Sequence, residues 1–207
     1  MRPEEFVSFL HTHKASAILR TSVGQAAKPA MDAAMRGGFK VIEFTLTTPG
    51  ALELIGEFST RQGIVVGAGT VLTVDDAKAA VDAGAVFLVS PVVDEAVIDA
   101  ARSLGVAMMP GTHTPTEMLR AHRAGASLQK LFPAPGIGPV YVKACLGPMP
   151  FLRIVPTSGI NESNAAAYLQ AGAFAVGFVT RLFDPDDLAA GRFDTIEQRA
   201  QSLLAAL

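Results

Sequence analysis

Two charged residues lie where charge is hardest to accommodate. Glu43 sits in the run Lys-Val-Ile-Glu-Phe-Thr-Leu (40–46), and Lys130 in Leu-Gln-Lys-Leu-Phe-Pro (128–133). A lysine among apolar neighbours loses solvation of its ammonium form, so its pKa falls and a neutral amine becomes accessible. Such an amine attacks a ketone to give an imine, which accepts the electron pair when an adjacent carbon–carbon bond breaks. A carboxyl group nearby can carry protons through carbinolamine formation and to or from an aldol hydroxyl. The chemistry these residue types suggest is Schiff-base making or breaking of a C–C bond, with Lys130 as nucleophile and Glu43 as acid and base.

That reading requires elements that bring residues 43 and 130 together. Short apolar runs rich in β-formers alternate with amphipathic Ala-rich segments along the whole chain. The expected strands are Ser16–Arg20, Lys40–Leu46, Val65–Val71, Phe87–Pro91, Ala107–Gly111, Leu128–Pro133, Arg153–Thr157 and Phe174–Val179. The expected helices between them include Asp75–Ala83, Glu95–Leu104, Thr116–Ala124 and Asn164–Ala171. Such alternation argues for βαβ units and a parallel sheet covered on both faces. Eight repeats point to an α/β fold, a (β/α)8 TIM barrel in one domain spanning 1–207, with a doubly wound open sheet as the rival. An extra N-terminal helix, Pro3–His11, is expected to cover the bottom of the barrel. Two-residue alternation places Val41, Glu43 and Thr45 on one face of the second strand, and Leu128, Lys130 and Phe132 on one face of the sixth. Even-numbered strands share interior layers, so the acid and the amine can meet near the axis.

The punctuation agrees. Ala-Gly-Ala recurs at 83–85, 124–126 and 171–173, each time before a strand, where glycine can end a helix in a left-handed turn. Thr114-Pro115-Thr116-Glu117 reads as a capping box with proline at the first helical position. Asp194-Thr195-Ile196-Glu197 is expected to start the last helix in the same way.

The bulk composition narrows the classes. The 207 residues are 50% hydrophobic and 17% charged with a formal net charge of −2, so neither a nucleic-acid surface nor a polybasic membrane patch is expected. There is no long apolar run of membrane-spanning length and no signal-like N-terminus, and the single cysteine, Cys145, is expected to be a packed side chain in a reducing cytoplasm. His11, His13, His113 and His122 lack metal-ligand spacing, so no metal or cofactor is expected; His113 alone falls at a strand end. Gly67-Ala68-Gly69-Thr70 lacks the third glycine of a dinucleotide fingerprint and reads as a strand-end turn, Thr70 offering a hydroxyl to substrate. Asn161-Glu162-Ser163 matches a glycosylation triplet that a cytoplasmic chain does not use.

Seven motifs, in order, carry a resemblance. They are Ala-Ile-Leu-Arg (17–20), Ile-Glu-Phe-Thr (42–45), Val-Gly-Ala-Gly-Thr-Val (66–71), Val-Ser-Pro (89–91), Met-Pro-Gly-Thr-His-Thr-Pro-Thr-Glu (109–117), Lys-Leu-Phe-Pro-Ala (130–134) and Val-Pro-Thr-Ser-Gly-Ile (155–160). From about Ala17 onward the chain resembles the 2-keto-3-deoxy-6-phosphogluconate (KDPG) aldolase family, with its 6-phosphogalactonate relatives. The resemblance implies a metal-free class I aldolase that yields pyruvate plus an aldehyde, usually glyceraldehyde 3-phosphate, and that assembles as a homotrimer on a small keto-acid substrate. It assigns the Schiff base to Lys130 and acid/base work to Glu43. Arg20, Thr70, Pro91 and Phe132, with Thr157, Ser158 and Gly159, match substrate-contacting positions. Other uses of such a barrel are a phosphosugar isomerase or epimerase with Glu43 as base, or a non-catalytic sugar-acid binder.

The departures gather at the phosphate end. Many members have Thr-Leu-Arg-Thr after the glutamate; here the run is Thr45-Leu46-Thr47-Thr48. The usual Thr-Gly-Gly is Thr157-Ser158-Gly159, where a Cβ can obstruct phosphate-binding amides. The usual Gly-Ser turn after the last strand is replaced by Val179-Thr180-Arg181. Thr47, Thr180 and Arg181 are therefore the candidates for the aldehyde or phosphate end, Arg181 supplying a replacement charge or facing solvent.

Overall fold

The computed structural model describes residues 1–207, and helices and strands alternate through it. The first half runs α1 (Pro3–His13), β1 (Ala15–Leu19), α2 (Gly24–Arg36), β2 (Val41–Thr45), α3 (Ala51–Ser59), β3 (Val65–Gly69), α4 (Val74–Asp82), β4 (Phe87–Val89) and α5 (Glu95–Ser103). The second runs β5 (Ala107–Met109), β6 (Gly111–Thr112), α6 (Pro115–Arg123), β7 (Gln129–Leu131), α7 (Pro139–Leu146), β8 (Ile154–Pro156) and α8 (Ala165–Gln170). It ends with β9 (Val176–Phe178), α9 (Pro185–Ala190) and α10 (Phe193–Ala205).

Every strand pair is parallel, but the strands form two ladders rather than one: six strands ordered β5-β4-β3-β2-β1-β9, and three ordered β6-β7-β8. The eight continuous strands expected from sequence are thus corrected to nine shorter ones. The break falls at Pro110, inside the expected strand Ala107–Gly111. Proline has no N–H to give to a ladder, so β5 stops and β6 restarts on the other side. Backbone bonds still cross both flanks of the gap. Leu128 N donates to Met108 O at 3.3 Å and Lys130 N to Pro110 O at 3.0 Å on one side. On the other, Phe174 N donates to Ile154 O at 2.8 Å, and Thr157 bridges Gly177 in parallel. The result is an α/β fold around a curled parallel sheet.

Strand alternation divides the apolar residues as a two-faced sheet requires. Ile42, Val66, Leu88 and Ile154 join the helices in a large outer core. Val41, Phe87, Met109, Leu128 and Val155 face the other way, into a small inner core closed by Phe6, Val7 and Leu10 of α1. The Phe6 ring stacks on Phe87 with centroids 4.3 Å apart, so the N-terminal helix plugs the N-terminal end of the sheet as expected. Full burial of one such phenylalanine stabilises by roughly 1.5–3 kcal/mol. Two residues further along the same faces come Glu43 after Val41, Lys130 after Leu128, and Thr157 after Val155. The inner surface is dry hydrocarbon at one end and polar at the other.

The helix signals hold with one exception. Gly84, Gly125 and Gly172 all have positive φ, at 108°, 95° and 100°, where a Cβ is disfavoured. Thr114 and Glu117 form the expected capping box ahead of α6. The last helix, however, begins at Phe193, not at an Asp194 cap. Gly191, with φ 66°, turns the chain directly from α9 into α10, leaving Asp194 within the first turn. Cys145 is a free, buried thiol. No helix is long and apolar enough to cross a membrane.

Candidate active site

Lys130 projects from β7 toward the strand ends and is only 5% exposed. Its Nζ lies 4.9 Å from the centroid of the Phe132 ring. Glu43, on the inner face of β2, is fully buried, and neither carboxylate oxygen has a hydrogen-bond partner within the protein. Burial pushes the Lys130 amine below the usual lysine range; Glu43 opposes the shift and Arg20 adds to it. Burial likewise pushes the Glu43 carboxyl above the usual range, against the pull of Lys130 and Arg20. Both directions favour the same state, a neutral amine with a protonated acid, because an interior without partners penalises each charge more than the pair attraction returns. That state combines a nucleophile with a proton donor.

Room for the carboxyl group comes from Gly69, and Gly67 makes room for the Phe87 ring. Both lie within β3, so the strand-end turn expected there is displaced to Thr70, which has φ 60°. A Cβ on Gly69 would sit 1.9 Å from Glu43 Oε1, and one on Gly67 would meet the Phe87 ring at 2.5 Å. Sequence reading placed a strand-end turn over Gly67–Thr70, of which only Thr70 takes that role. The signal it missed is register: Gly67 pairs with Glu43 and Gly69 with Thr45, so both glycines share the inner face on the adjacent strand.

Lys130 opens into a cavity of about 190 Å³ that Arg20, Phe132, Thr157, Ser158 and Thr180 also line. A wider mouth of about 630 Å³ adjoins it, with Arg20, Thr47, Thr70, Pro91 and Phe132 in its walls. A third space of about 300 Å³ is bounded by Ser158, Gly159, Thr180 and Arg181. Shared wall residues join the three into one cleft at the C-terminal ends of the strands, where such folds carry their sites. Every substrate-side residue singled out in the sequence therefore borders one cleft. His113 does not; its ring is exposed and contacts the Pro133 carbonyl through Nδ1 at 3.1 Å.

Arg20 Nη2 donates to Thr70 Oγ1 at 3.4 Å, so a cation and a hydroxyl stand together beside the lysine cavity. At the other end the arginine is not free: Arg181 forks its Nε and Nη2 onto the two oxygens of Glu162, each at 2.7 Å. Ser158 occupies the left-handed region with φ 64°, followed by Gly159 at 87°. The backbone keeps a conformation suited to two glycines although one carries a side chain. Sequence reading also missed Ile18, Phe183 and Pro185 in the walls; apolar residues on strands and loops look alike until the cleft is assembled.

The curled parallel sheet with a buried amine–acid pair at its strand ends defines an α/β enzyme whose chemistry lies inside the sheet. Comparison identifies the family. The model of the KDPG and KHG aldolase family matches residues 7–199. A probable 2-dehydro-3-deoxy-6-phosphogalactonate aldolase from Rhizobium meliloti is 38% identical, covering 92% of this chain and 89% of that protein. A 2-dehydro-3-deoxy-phosphogluconate aldolase from Pseudoalteromonas atlantica is 33% identical, covering 86% and 84%. Among solved structures, KDPG aldolase from Legionella pneumophila, with pyruvate captured at low pH as a covalent carbinolamine intermediate, superposes with a TM-score of 0.85 at 25% identity, covering 95% of this chain and 97% of its own. The chain belongs to the KDPG and KHG aldolase family and is a class I aldolase, a lyase.

Proposed function

We propose that the protein cleaves 2-keto-3-deoxy-6-phosphogluconate, or forms it, through an imine on Lys130, giving pyruvate and glyceraldehyde 3-phosphate. The observation that carries this reading is the amine of Lys130, buried with Glu43 and pushed toward its neutral form while opening into the cleft. Neutral Nζ adds to the C2 carbonyl, and the carbinolamine loses water to give the iminium, Glu43 supplying the proton that leaves with it. As a carboxylate, Glu43 then takes the proton of the C4 hydroxyl. The C3–C4 bond breaks, its electron pair passes into the iminium to form an enamine, and the aldehyde departs. Protonation at C3 and addition of water release pyruvate and restore the amine.

Arg20 and Thr70 suit the carboxylate of the keto acid, as a cation and a hydroxyl directed into the mouth. Pro91, Phe132 and Thr157 shape the pyruvate pocket. Ser158, Gly159, Thr47, Thr180 and Arg181 lie toward the aldehyde and its phosphate. We read the two ladders as one (β/α)8 barrel in a single domain, β5 and β6 counting as one strand on either side of Pro110. We also read the protein as a cytoplasmic homotrimer, which sedimentation at micromolar concentration tests by mass.

Incubation with pyruvate and borohydride is the decisive experiment. The expected product is a reduced three-carbon adduct on Lys130. An unmodified protein, or a label on another lysine, overturns the assignment.

A further inference from the structure

One stretch of chain walls the aldehyde side of the cleft. Val179, Thr180, Asp184 and Pro185 line the space beside Ser158 and Arg181, Pro185 borders all three spaces, and Phe183 faces only the lysine cavity. The stretch lies beyond the end of β9, so no strand ladder fixes it. Apart from its turn onto the Val179 carbonyl and the Arg181–Glu162 pair, it is fixed from the C-terminal helix. Arg199 of α10 donates from Nη1 to the Leu182 carbonyl at 3.0 Å and from Nη2 to Asp187 Oδ2 at 2.5 Å. The other Asp187 oxygen accepts Arg192 Nε at 2.6 Å. Asp187 is 5% exposed and the Arg199 side chain 17%.

Ion pairs this buried add little net stability, since desolvation offsets their attraction. What they supply is geometry, and here the geometry has a target. The two anchors of Arg199, residues 182 and 187, bracket Asp184 and Pro185. A planar guanidinium presents separate donors in fixed directions and can hold both anchors at once; a lysine ammonium on its flexible stem cannot hold them in the same way.

We propose that Arg199, which lines none of these spaces, is a positioning residue for the aldehyde half of the reaction. By tying Leu182 and Asp187 to α10, it holds Asp184 and Pro185 at the spacing the incoming aldehyde requires. Asp187 is the counter-anchor. The inference rests on the Schiff-base reading, and the two half-reactions of that reading separate its test from a test of the chemistry.

The variants are Arg199→Lys and Asp187→Asn, each measured for pyruvate–borohydride trapping on Lys130 and for cleavage of 2-keto-3-deoxy-6-phosphogluconate. For Arg199→Lys, trapping stays within about twofold of wild type while kcat/KM for cleavage falls roughly 10- to 100-fold, the scale expected when a wall shifts by about an ångström. In the synthesis direction the loss appears mainly as a raised KM for the aldehyde rather than for pyruvate. Asp187→Asn gives the same split with a smaller factor, and decides the matter alone if Arg199→Lys does not fold. Equal losses in trapping and cleavage, or no loss in either, overturn the proposal. A wild-type protein that traps no pyruvate fails at the earlier step and removes the Schiff-base reading itself.

Discussion

The two ends of the cleft are built from different material. At the pyruvate end, Glu43 and Lys130 stand on β2 and β7, whose backbones are fixed by neighbouring strands on both sides. At the aldehyde end, Ser158, Thr180 and Arg181 lie on loops, where backbone hydrogen bonding is sparser and an Arg181–Glu162 pair and the Arg199 anchors do the fixing. The first end is buried and leaves both Glu43 oxygens without a partner, which tunes pKa values. The second is half exposed, which tunes affinity. On the proposed reading, rigid strands set the reaction and loops set what reacts.

Substitutions at the strand end should therefore have the larger effects. Lys130→Met removes the proposed nucleophile, and cleavage is expected to fall on the order of 10⁴-fold or more. The same variant tests the electrostatics. With the lysine gone, one of the influences that lower the Glu43 pKa disappears, so burial holds the carboxyl above its ordinary 4.5. A group whose folded pKa is raised stabilises most below its unfolded value and loses that contribution as pH rises. Denaturant melts of Lys130→Met should thus show stability declining as pH climbs above 4.5, and the decline should vanish in Lys130→Met/Glu43→Gln. A flat profile in the single variant argues that Glu43 is solvated.

Glu43→Gln comes next. Loss of the proton relay is expected to lower kcat by roughly 10²–10⁴-fold, while pyruvate trapping is slowed but still reaches Lys130, because burial, the main cause of its lowered pKa, still favours the neutral amine. If trapping disappears together with turnover, the carboxyl group is needed to form the imine as well as to break the bond. Gly69→Ala should have an effect on the order of 10²-fold through geometry alone, since its Cβ would collide with Glu43 Oε1 and a displaced base is a poor one. A kinetic profile that matches Glu43→Gln identifies the collision as the cause. Gly67→Ala, which meets the Phe87 ring instead, should lose stability by about 1–3 kcal/mol through overpacking.

How far the sequence anticipated this follows the same division. Glu43 and Lys130 were legible because period-two alternation and the apolar runs fixed their face, and a charge on an inner face has few explanations. The helix ends were legible where chemistry was local, as at Gly84 and Thr114. Pro110 was visible as a residue but not as a break, because a proline at a sheet edge and a proline that splits a strand differ only in their partners. The Gly69–Glu43 packing and the Arg199 anchors were not legible. Both depend on contacts between segments 26 or 12 residues and more apart, and neither residue type announces its partner.

The smallest expected effects lie at the loop end. An exposed ion pair is worth about 0.2–1 kcal/mol, so Glu162→Gln, which releases Arg181, should lower KM for a phosphorylated aldehyde by less than about fivefold and should do so less at high salt. Ser158→Gly is subtler, because two terms oppose each other in stability. Relief of the left-handed conformation favours the variant by about 1–2 kcal/mol, whereas the greater freedom of unfolded glycine disfavours it by about 0.4–1 kcal/mol. Melting temperature is accordingly a weak readout. Binding is the better one: removing the Cβ uncovers backbone amides at residues 158–159, and one recovered hydrogen bond is worth about 0.5–1.5 kcal/mol. Ser158→Gly should then favour the phosphorylated over the unphosphorylated aldehyde by roughly 2- to 12-fold relative to wild type. An unchanged ratio would mean that phosphate does not approach this turn, and that the aldehyde end is read by side chains rather than by backbone.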